Sequence, residues 1–335
     1  YEIGRRDWSS DVCSSDLNMK KRIISVLLAT VFALSVIGCG TKDTKEQDAY
    51  RQYGITCMES GKYEDAVKAF QNALGESIGH IGEKELDICF YKAKAQALDG
   101  KTKDALATYN AIIKYNKDAR AYYLRGDLYM DMGEEKKGRA DFESAVQQGK
   151  KNYEIYIGIY ESLSRHEKKD EGQKYLSAAM EIKGDKPEDE LYKGRISYLL
   201  GENKDAISYL EKAKEHKQML ASYYLGLAYD ANGDSDKAKK CIAEYIKSGV
   251  ATSYDLYELG MQEMQDGNYK NALTYFNSGL ELEKVPNKQN LMKSAIAAYE
   301  YSGDFDSAKK MMKEYLKAYP DDEEAKHENT FLETR

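Results

Sequence analysis

Apolar residues recur at three- and four-residue intervals through most of this chain, in segments separated by short polar turns. Between Tyr223 and Ile242 the intervals hold on both sides of Gly233. This spacing predicts two amphipathic helices joined by a tight turn. Gly233 can take the positive φ angle that ends a helix, and Asp234 stands where a side chain can cap the next helix.

The same helix–turn–helix pattern returns about every 34 residues along the chain. A small residue is followed seven positions later by glycine, and alanine or glycine follows five positions after that. The middle glycines are Gly61, Gly100, Gly133, Gly201, Gly233, Gly267 and Gly303. Between Gly133 and Gly201 two periods pass, and Glu167 stands at the turn of the divergent copy in this interval. Such a period predicts stacked units, none of which can bury its apolar face alone.

The repeating unit resembles the tetratricopeptide repeat, whose pattern runs W-x2-L-G-x2-Y, A-x3-F and P. The seventh copy carries Leu259, Gly260, Ala272 and Phe276 at the matching places, and the eighth ends with Pro320. The resemblance implies an all-α fold, a right-handed α-solenoid of about eight helix pairs over residues 47–322, with a capping helix or tail at 323–335. The predicted units are 47–80, 86–119, 119–152, 152–184, 187–220, 219–252, 253–286 and 289–322.

The segment before the repeats predicts a lipoprotein signal peptide at residues 19–38. Met19 and three basic residues precede an apolar run over 23–37, and small residues follow up to Cys39. This order is typical of an export signal. The residues before Cys39 resemble a lipobox, which implies cleavage there and acylation of Cys39. The alternative is a short transmembrane helix, but the run of 15 residues is below the roughly 20 needed to span a bilayer.

Residues 1–18 are polar and precede Met19, the first methionine. They resemble translated sequencing adaptor, so we expect a non-native leader and exclude it from the fold. Because Trp8 is the only tryptophan, a chain that begins at Cys39 would contain none. Residues 39–46 would tether the repeats to the extracytoplasmic face of a bacterial cell membrane.

The charge of the chain excludes one class of partner. Residues 1–38 hold five basic and four acidic side chains, so their removal moves the net charge from −7 to −8. An acidic surface with interspersed charges lacks the basic stripe that nucleic acid requires. It also gives no electrostatic attraction to anionic lipid. We therefore expect a membrane contact through acylated Cys39 and no nucleic-acid partner.

No motif in the chain predicts catalysis, a metal, a cofactor or a small-molecule substrate. The four histidines are isolated, and no HExxH, CxxC, G-x-S-x-G or phosphate-binding loop occurs. Residues 230–236 begin like a calcium loop, but Ser235 replaces the required glycine and Cys241 the bidentate glutamate. Cys57 and Cys89 lie, like Cys241, in helical patterns, which favours buried small side chains over a disulfide. We expect a protein that is not an enzyme.

The resemblance implies a concave groove lined by the first helix of each pair. Aromatic, Met and Arg side chains favour binding hot spots, and the chain has 29 tyrosines, many of them also suited to the core. No carboxylate-clamp set is present, which favours an apolar or mixed peptide. The predicted groove residues are Arg51, Phe90, Lys94, Tyr123, Asp127, Ile155, Leu191, Arg195, Tyr223, Leu227, Tyr257, Met261 and Met264.

Two functions are consistent with these patterns. The first is a membrane-anchored scaffold or adaptor that binds proteins or peptides in the groove. The second is a structural spacer or self-association element of a cell-envelope complex. A partner bound in the groove would favour the first function, and end repeats that stack on another copy of the chain would favour the second.

Overall fold

The computed structural model describes residues 44–77, 81–184 and 186–334. Over these residues the chain forms 17 α-helices and no β-strand. The all-α repeat fold expected from the sequence is confirmed. The predicted leader, the signal peptide and Cys39 lie outside the described residues.

The described residues fall into two compact units, 44–244 and 245–334. In the first unit successive helices form pairs, each with a first and a second helix, and neighbouring pairs lie side by side. The pairs are α1 (Thr44–Glu59) with α2 (Tyr63–Gly75), α3 (Glu83–Leu98) with α4 (Thr102–Asn116), α5 (Ala119–Asp131) with α6 (Glu135–Gln148), α7 (Tyr153–Arg165) with α8 (Lys169–Met180), α9 (Pro187–Leu200) with α10 (Asn203–Glu215), and α11 (Leu220–Ala231) with α12 (Ser235–Lys247). The last turn of α12 belongs to the second unit.

The second unit, residues 245–334, also consists of successive helices packed on one another. Each helix contacts the next one in the sequence, and α13 also contacts α15. The helices are α13 (Ser253–Gln265), α14 (Tyr269–Leu280), α15 (Lys288–Ser302), α16 (Phe305–Ala318) and α17 (Glu323–Glu333).

Small residues allow the two helices of a pair to approach closely. A Cβ atom on Gly226 would lie 2.4 Å from Ile242 Cδ1, and one on Gly260 would lie 2.2 Å from Phe276 Cε1. Both distances are far below a normal van der Waals contact, so a larger residue at either position would force the facing side chain to shift. Small residues therefore recur with the repeat period because the paired helices pack closely where these residues lie.

The turns between paired helices use left-handed backbone. Gly233 has a φ angle of 83°, as its place in the pattern predicts. In the divergent fourth pair, Glu167 has a φ angle of 62° and takes the same conformation without glycine. An L-residue other than Asn or Asp is uncommon there, so the packing of α7 on α8 must hold this turn in place.

The core runs between the paired helices as a series of apolar clusters. Phe70, Phe142 and Phe276 are fully buried at the same place in their repeats. At the end of the second unit, Ala325 and Leu332 of α17 pack against Met312 and Tyr315 of α16. None of the described helices is both long enough and apolar enough to cross a membrane.

Candidate functional site

The first helices of the unit 44–244 are connected to one another by arginine side chains. On α1, the Arg51 guanidinium lies 2.6 Å from Asp87 of α3 and 5.1 Å from the centre of the Tyr91 ring. On α5, Arg120 lies 4.6 Å from the centre of the Phe90 ring of α3. Both arginines therefore link neighbouring repeats through a charge or an aromatic face.

The same links continue through the later repeats of this unit. Arg165 of α7 donates a hydrogen bond to Asp127 of α5. Arg195 of α9 lies 3.0 Å from Glu161 of α7 and 5.5 Å from the centre of the Tyr224 ring of α11. Every adjacent pair of first helices from α1 to α11 is thus bridged. We call Arg51, Arg120, Arg165 and Arg195 the arginine row.

The members of the arginine row differ in how much of each side chain is exposed to water. The Arg165 side chain is 5% exposed, whereas Arg51 and Arg120 are 29% and 35% exposed. A buried ion pair holds helices in register and has little surface to offer a ligand. An exposed guanidinium beside an aromatic ring can contact both a carboxylate and an apolar group. The accessible part of the row is therefore at α1, α3 and α5.

Burial shifts the pKa of several groups on the first helices. It raises the pKa of the Glu161 carboxyl, and the positive charge of Arg195 opposes part of that rise. The pKa of Asp131 is also raised by burial, with the nearby Asp127 adding to the effect. On α3, burial lowers the pKa of Lys94 to about 8. Each shift follows from removing charge from water.

Five of the predicted groove residues are buried in the helix cores. Their side chains fill the contacts between neighbouring helices, for example where the Tyr123 ring faces Phe142 at 6.3 Å between ring centres. The prediction treated first-helix positions as surface, but the following repeat covers them, so these side chains serve packing and present no surface to a ligand. They are Tyr123, Ile155, Leu191, Tyr257 and Met261.

The other predicted groove residues fall into two groups. Asp127 and Arg195 lie on the first helices as predicted, but each is bonded within the chain. The remaining positions are partly exposed, and a binding role for them stays a prediction. They are Arg51, Phe90, Lys94, Tyr223, Leu227 and Met264.

The structure brings in residues that sequence reasoning missed. Glu154, Glu161 and Arg165 complete the charged links along the first helices. Glu161 and Arg195 stand 34 positions apart, and Asp127 and Arg165 stand 38 apart. These links could have been predicted from the sequence, because opposite charges stand about one repeat apart on the predicted first helices.

The cysteines and the acidic turns add no second site. Cys57 and Cys241 are buried and Cys89 is partly buried, all three as free thiols. Burial raises the pKa of the Cys89 and Cys241 thiols, which keeps them protonated. Within the described part of the chain, no three His, Cys, Asp or Glu side chains converge in a way that could hold a metal ion.

Comparison with protein families identifies the repeat. One tetratricopeptide-repeat model matches residues 54–113 and 92–153, and a second matches residues 220–248 and 289–322. The matched segments include Phe90, Tyr91 and Arg120 of the accessible part of the arginine row, and Arg51 lies three residues before the first match. Comparison with curated proteins gives no significant match.

Solved structures provide similar chains. A tetratricopeptide repeat protein from Parabacteroides merdae ATCC 43184 is 12% identical with a TM-score of 0.45, covering 76% of this chain and 99% of that chain. PilW, a type IV pilus biogenesis factor, is 18% identical with a TM-score of 0.42, and the match covers 62% of this chain and 97% of that chain. A chain of the APC/C hetero-tetramer Cut9–Hcn1 is 16% identical with a TM-score of 0.42, and the match covers 95% of this chain and 59% of that chain. From the family matches and its helices, the chain carries tetratricopeptide repeats at residues 54–153, 220–248 and 289–322 within an all-α repeat fold.

Proposed function

We propose that this protein is a scaffold or adaptor that binds a protein or peptide on the first helices of its N-terminal repeats. Stacked helical repeats present extended surfaces suited to such ligands. The observation that carries the proposal is the accessible part of the arginine row. There, Arg51, Tyr91, Phe90 and Arg120 form one partly exposed strip across three repeats.

The chemistry of this strip favours a peptide with both apolar and acidic side chains. The rings of Phe90 and Tyr91 offer apolar area. The guanidinium groups of Arg51 and Arg120 are paired with Asp87 and Asp118 within the chain and stay partly exposed, so their charge and planar faces remain within reach of a ligand. The buried part of the row keeps neighbouring repeats in register and so holds the strip in a fixed shape before a ligand arrives, which reduces the entropy lost on binding.

We propose further that acylated Cys39 anchors the protein to the extracytoplasmic face of a bacterial membrane. The basic start at 20–22, the apolar run at 23–37 and the lipobox-like residues before Cys39 support this location. Two or three acyl chains hold a protein durably, whereas one holds it reversibly. Mass spectrometry of the N-terminal peptide from the membrane fraction tests the modification, and Cys39→Ala should release the protein from membranes.

Capture of partners from intact cells tests the binding surface. The full-length lipidated chain is crosslinked in the cells that make it, purified, and its partners identified by mass spectrometry. We expect the Arg51→Ala/Arg120→Ala variant to retain at most about a tenth of the captured partner, since losing about 1.4 kcal/mol of contact energy is a tenfold loss.

Arg139→Ala is the matched control for this experiment. Arg139 is 36% exposed and pairs with Glu171 between neighbouring repeats, but it lies on a second helix. The Arg139→Ala variant should capture as much partner as the wild type. Its helicity should equal that of the Arg51→Ala/Arg120→Ala variant. Equal capture by the double variant and the wild type would contradict the proposed surface. Dimers that disappear on deletion of residues 289–335, with no captured partner, would favour the spacer function instead.

A further inference from the structure

A recess of about 420 Å³ lies in the second unit, beside the turn between α13 and α14. Residues 267–271, at this turn and at the start of α14, line it together with Tyr301 and Ser302 at the end of α15. Its volume is within the range of about 300–1,000 Å³ in which small-molecule pockets fall. The recess shares no residue with the peptide surface proposed above, so a ligand here would be a second one.

Two stacked tyrosine rings form the apolar part of the recess. The ring centres of Tyr269 and Tyr301 are 5.1 Å apart, and the ring planes differ by 12°. Stacking covers one face of each ring, yet the Tyr301 side chain is still 45% exposed. The pair therefore offers flat aromatic area that a ligand can reach.

The repeat itself does not require a ring pair at this place. It brings the first residue of a second helix close to the last turn of the next first helix, and in the first unit Asn203 Nδ2 donates to the Ala231 backbone oxygen there at 3.1 Å. Thr102 and Asp131 stand at the same two positions of the second and third repeats. Small and polar side chains are thus accepted at this contact, so the two rings are specific to the seventh and eighth repeats.

Polar side chains complete the lining of the recess. Asn268 precedes α14, and its side chain makes no capping hydrogen bond to that helix. Asn271 donates to Glu263 Oε2 at 3.1 Å, and its amide oxygen can accept a further hydrogen bond. Lys270 is exposed beside them and adds ammonium donors. A ligand on the tyrosine rings therefore meets both donors and acceptors at its edge.

This combination favours a ligand that has a C–H face and hydroxyl groups around it. The face of an aromatic ring carries partial negative charge, so it attracts the C–H bonds of a saturated ring. Amide groups both donate and accept, as hydroxyl groups require. A pyranose sugar presents C–H bonds on its faces and hydroxyl groups at its edge, whereas an apolar peptide side chain would use the rings alone.

The charges near the recess favour a neutral ligand over an anion. Lys270 brings one positive charge to the lining, but the exposed Asp266 stands in the same turn as Asn268. Opposite charges at an exposed site offset one another and are screened by salt. A ligand is therefore selected by its shape and hydroxyl groups, with no requirement for a carboxylate or phosphate.

We propose that this recess binds a neutral glycan. One pyranose ring packs on the exposed area of Tyr301, and its hydroxyl groups form hydrogen bonds with Asn268, Lys270 and Asn271. Since only one or two sugar rings make contact, we expect a dissociation constant in the millimolar range, about 1 mM. This binding is independent of the arginine row and of the lipid anchor.

Saturation-transfer NMR on the purified full-length protein tests the proposal. The probes are maltotetraose, cellotetraose and chitotetraose, which are neutral and differ in their linkages and substituents. We expect saturation to reach the ring C–H protons of at least one probe. Tyr301→Ala should weaken that binding at least about fivefold, because the stacking contact is lost. Tyr301→Trp, which keeps an aromatic face, should retain it.

Tyr115→Ala is the matched control, since Tyr115 is 54% exposed and lies on α4 in the first unit. It should bind the probes as the wild type does. The proposal is overturned if none of the three probes receives saturation, or if Tyr301→Ala and the wild type bind equally. Should Tyr301→Ala lose helicity, Asn268→Ala and Lys270→Ala, both at exposed positions, decide the matter, and unchanged binding by both also overturns the proposal.

Discussion

At the scale of single residues, glycine positions in the repeat are fixed by the approach of paired helices. Gly260→Ala would place a methyl group 2.2 Å from the Phe276 ring. We expect a loss of about 1–3 kcal/mol in the free energy of unfolding, because the core must shift to accept it. Urea unfolding measures the change. Gly75→Ala, at a helical site with no atom within 4 Å, is the control and should be neutral or slightly stabilising.

The buried pair of Arg165 and Asp127 leads to a second prediction at this scale. Arg165→Met leaves a buried carboxylate without its cation, and we expect a loss of about 3–5 kcal/mol in unfolding free energy. Adding Asp127→Leu should restore most of this loss, because the carboxylate that lost its cation is then also removed. A double variant no more stable than Arg165→Met would show that the arginine acts through other contacts.

The pH dependence of Arg165→Met follows from the neighbouring carboxyl of Asp131. Burial and Asp127 raise the pKa of Asp131 and the charge of Arg165 lowers it, so without the arginine the pKa of Asp131 rises further above its value in the unfolded state. The unfolded chain then binds fewer protons than the folded chain, so stability falls as the pH rises through this range. The loss caused by Arg165→Met should therefore be largest at neutral pH and shrink in acid, as unfolding at several pH values will show.

At the scale of elements, α13 begins at a hydrogen-bonded cap that reaches back to α12. The Asp255 carboxylate accepts hydrogen bonds from Tyr245 Oη at 2.7 Å, from the Thr252 backbone N–H at 2.8 Å and from Thr252 Oγ1 at 2.7 Å. The Asp255 backbone N–H in turn donates to Thr252 Oγ1 at 3.2 Å. This reciprocal arrangement is a capping box, and Tyr245 ties it to the preceding helix.

Substitutions at this cap should have graded effects. We expect Asp255→Ala to lower the unfolding free energy by about 2–4 kcal/mol, since it removes the cap and the buried hydrogen bond from the Tyr245 hydroxyl. Thr252→Ala should cost about 1 kcal/mol. Thr252→Ser keeps the hydroxyl and should be close to the wild type in urea unfolding. An equal effect of all three would contradict the role of the hydrogen bonds.

At the scale of the whole molecule, stability is expected to vary along the stack. In a repeat array each unit contacts only its neighbours, so a local change acts mainly on adjacent repeats. Leu332→Ser removes a fully buried side chain by which α17 covers α16. Amide hydrogen exchange in α15, α16 and α17 should become at least about tenfold faster, since the lost burial exceeds about 1.4 kcal/mol.

Phe331→Ser, one position earlier, alters an exposed side chain and provides the control. It should leave exchange in α15 and α16 unchanged. Exchange in α1 to α6 should be the same in both variants and in the wild type. Faster exchange along the entire chain after Leu332→Ser would mean that the molecule unfolds as one cooperative unit.

The sequence was sufficient for the repeat fold because each repeat encodes its own contacts. Gly233 and Gly260 mark a turn and a close crossing that depend on residues nearby in the same repeat, and such local requirements return with a fixed period. The helices α1 to α17 and their pairing follow from that period. Even Glu167, where the glycine is missing, keeps the turn because the flanking helices hold it.

The tertiary structure alone decided which first-helix side chains are accessible. Tyr123 and Tyr223 occupy equivalent places in their repeats, yet only Tyr123 is buried. The ion pair of Arg165 with Asp127 is buried, whereas Arg120, paired with Asp118 and lying over Phe90, is partly exposed. Periodicity fixes the face of a helix that a residue occupies, but exposure depends on the side chains contributed by neighbouring repeats. Those neighbours are distant in sequence, and their fit is set by packing that no single repeat encodes.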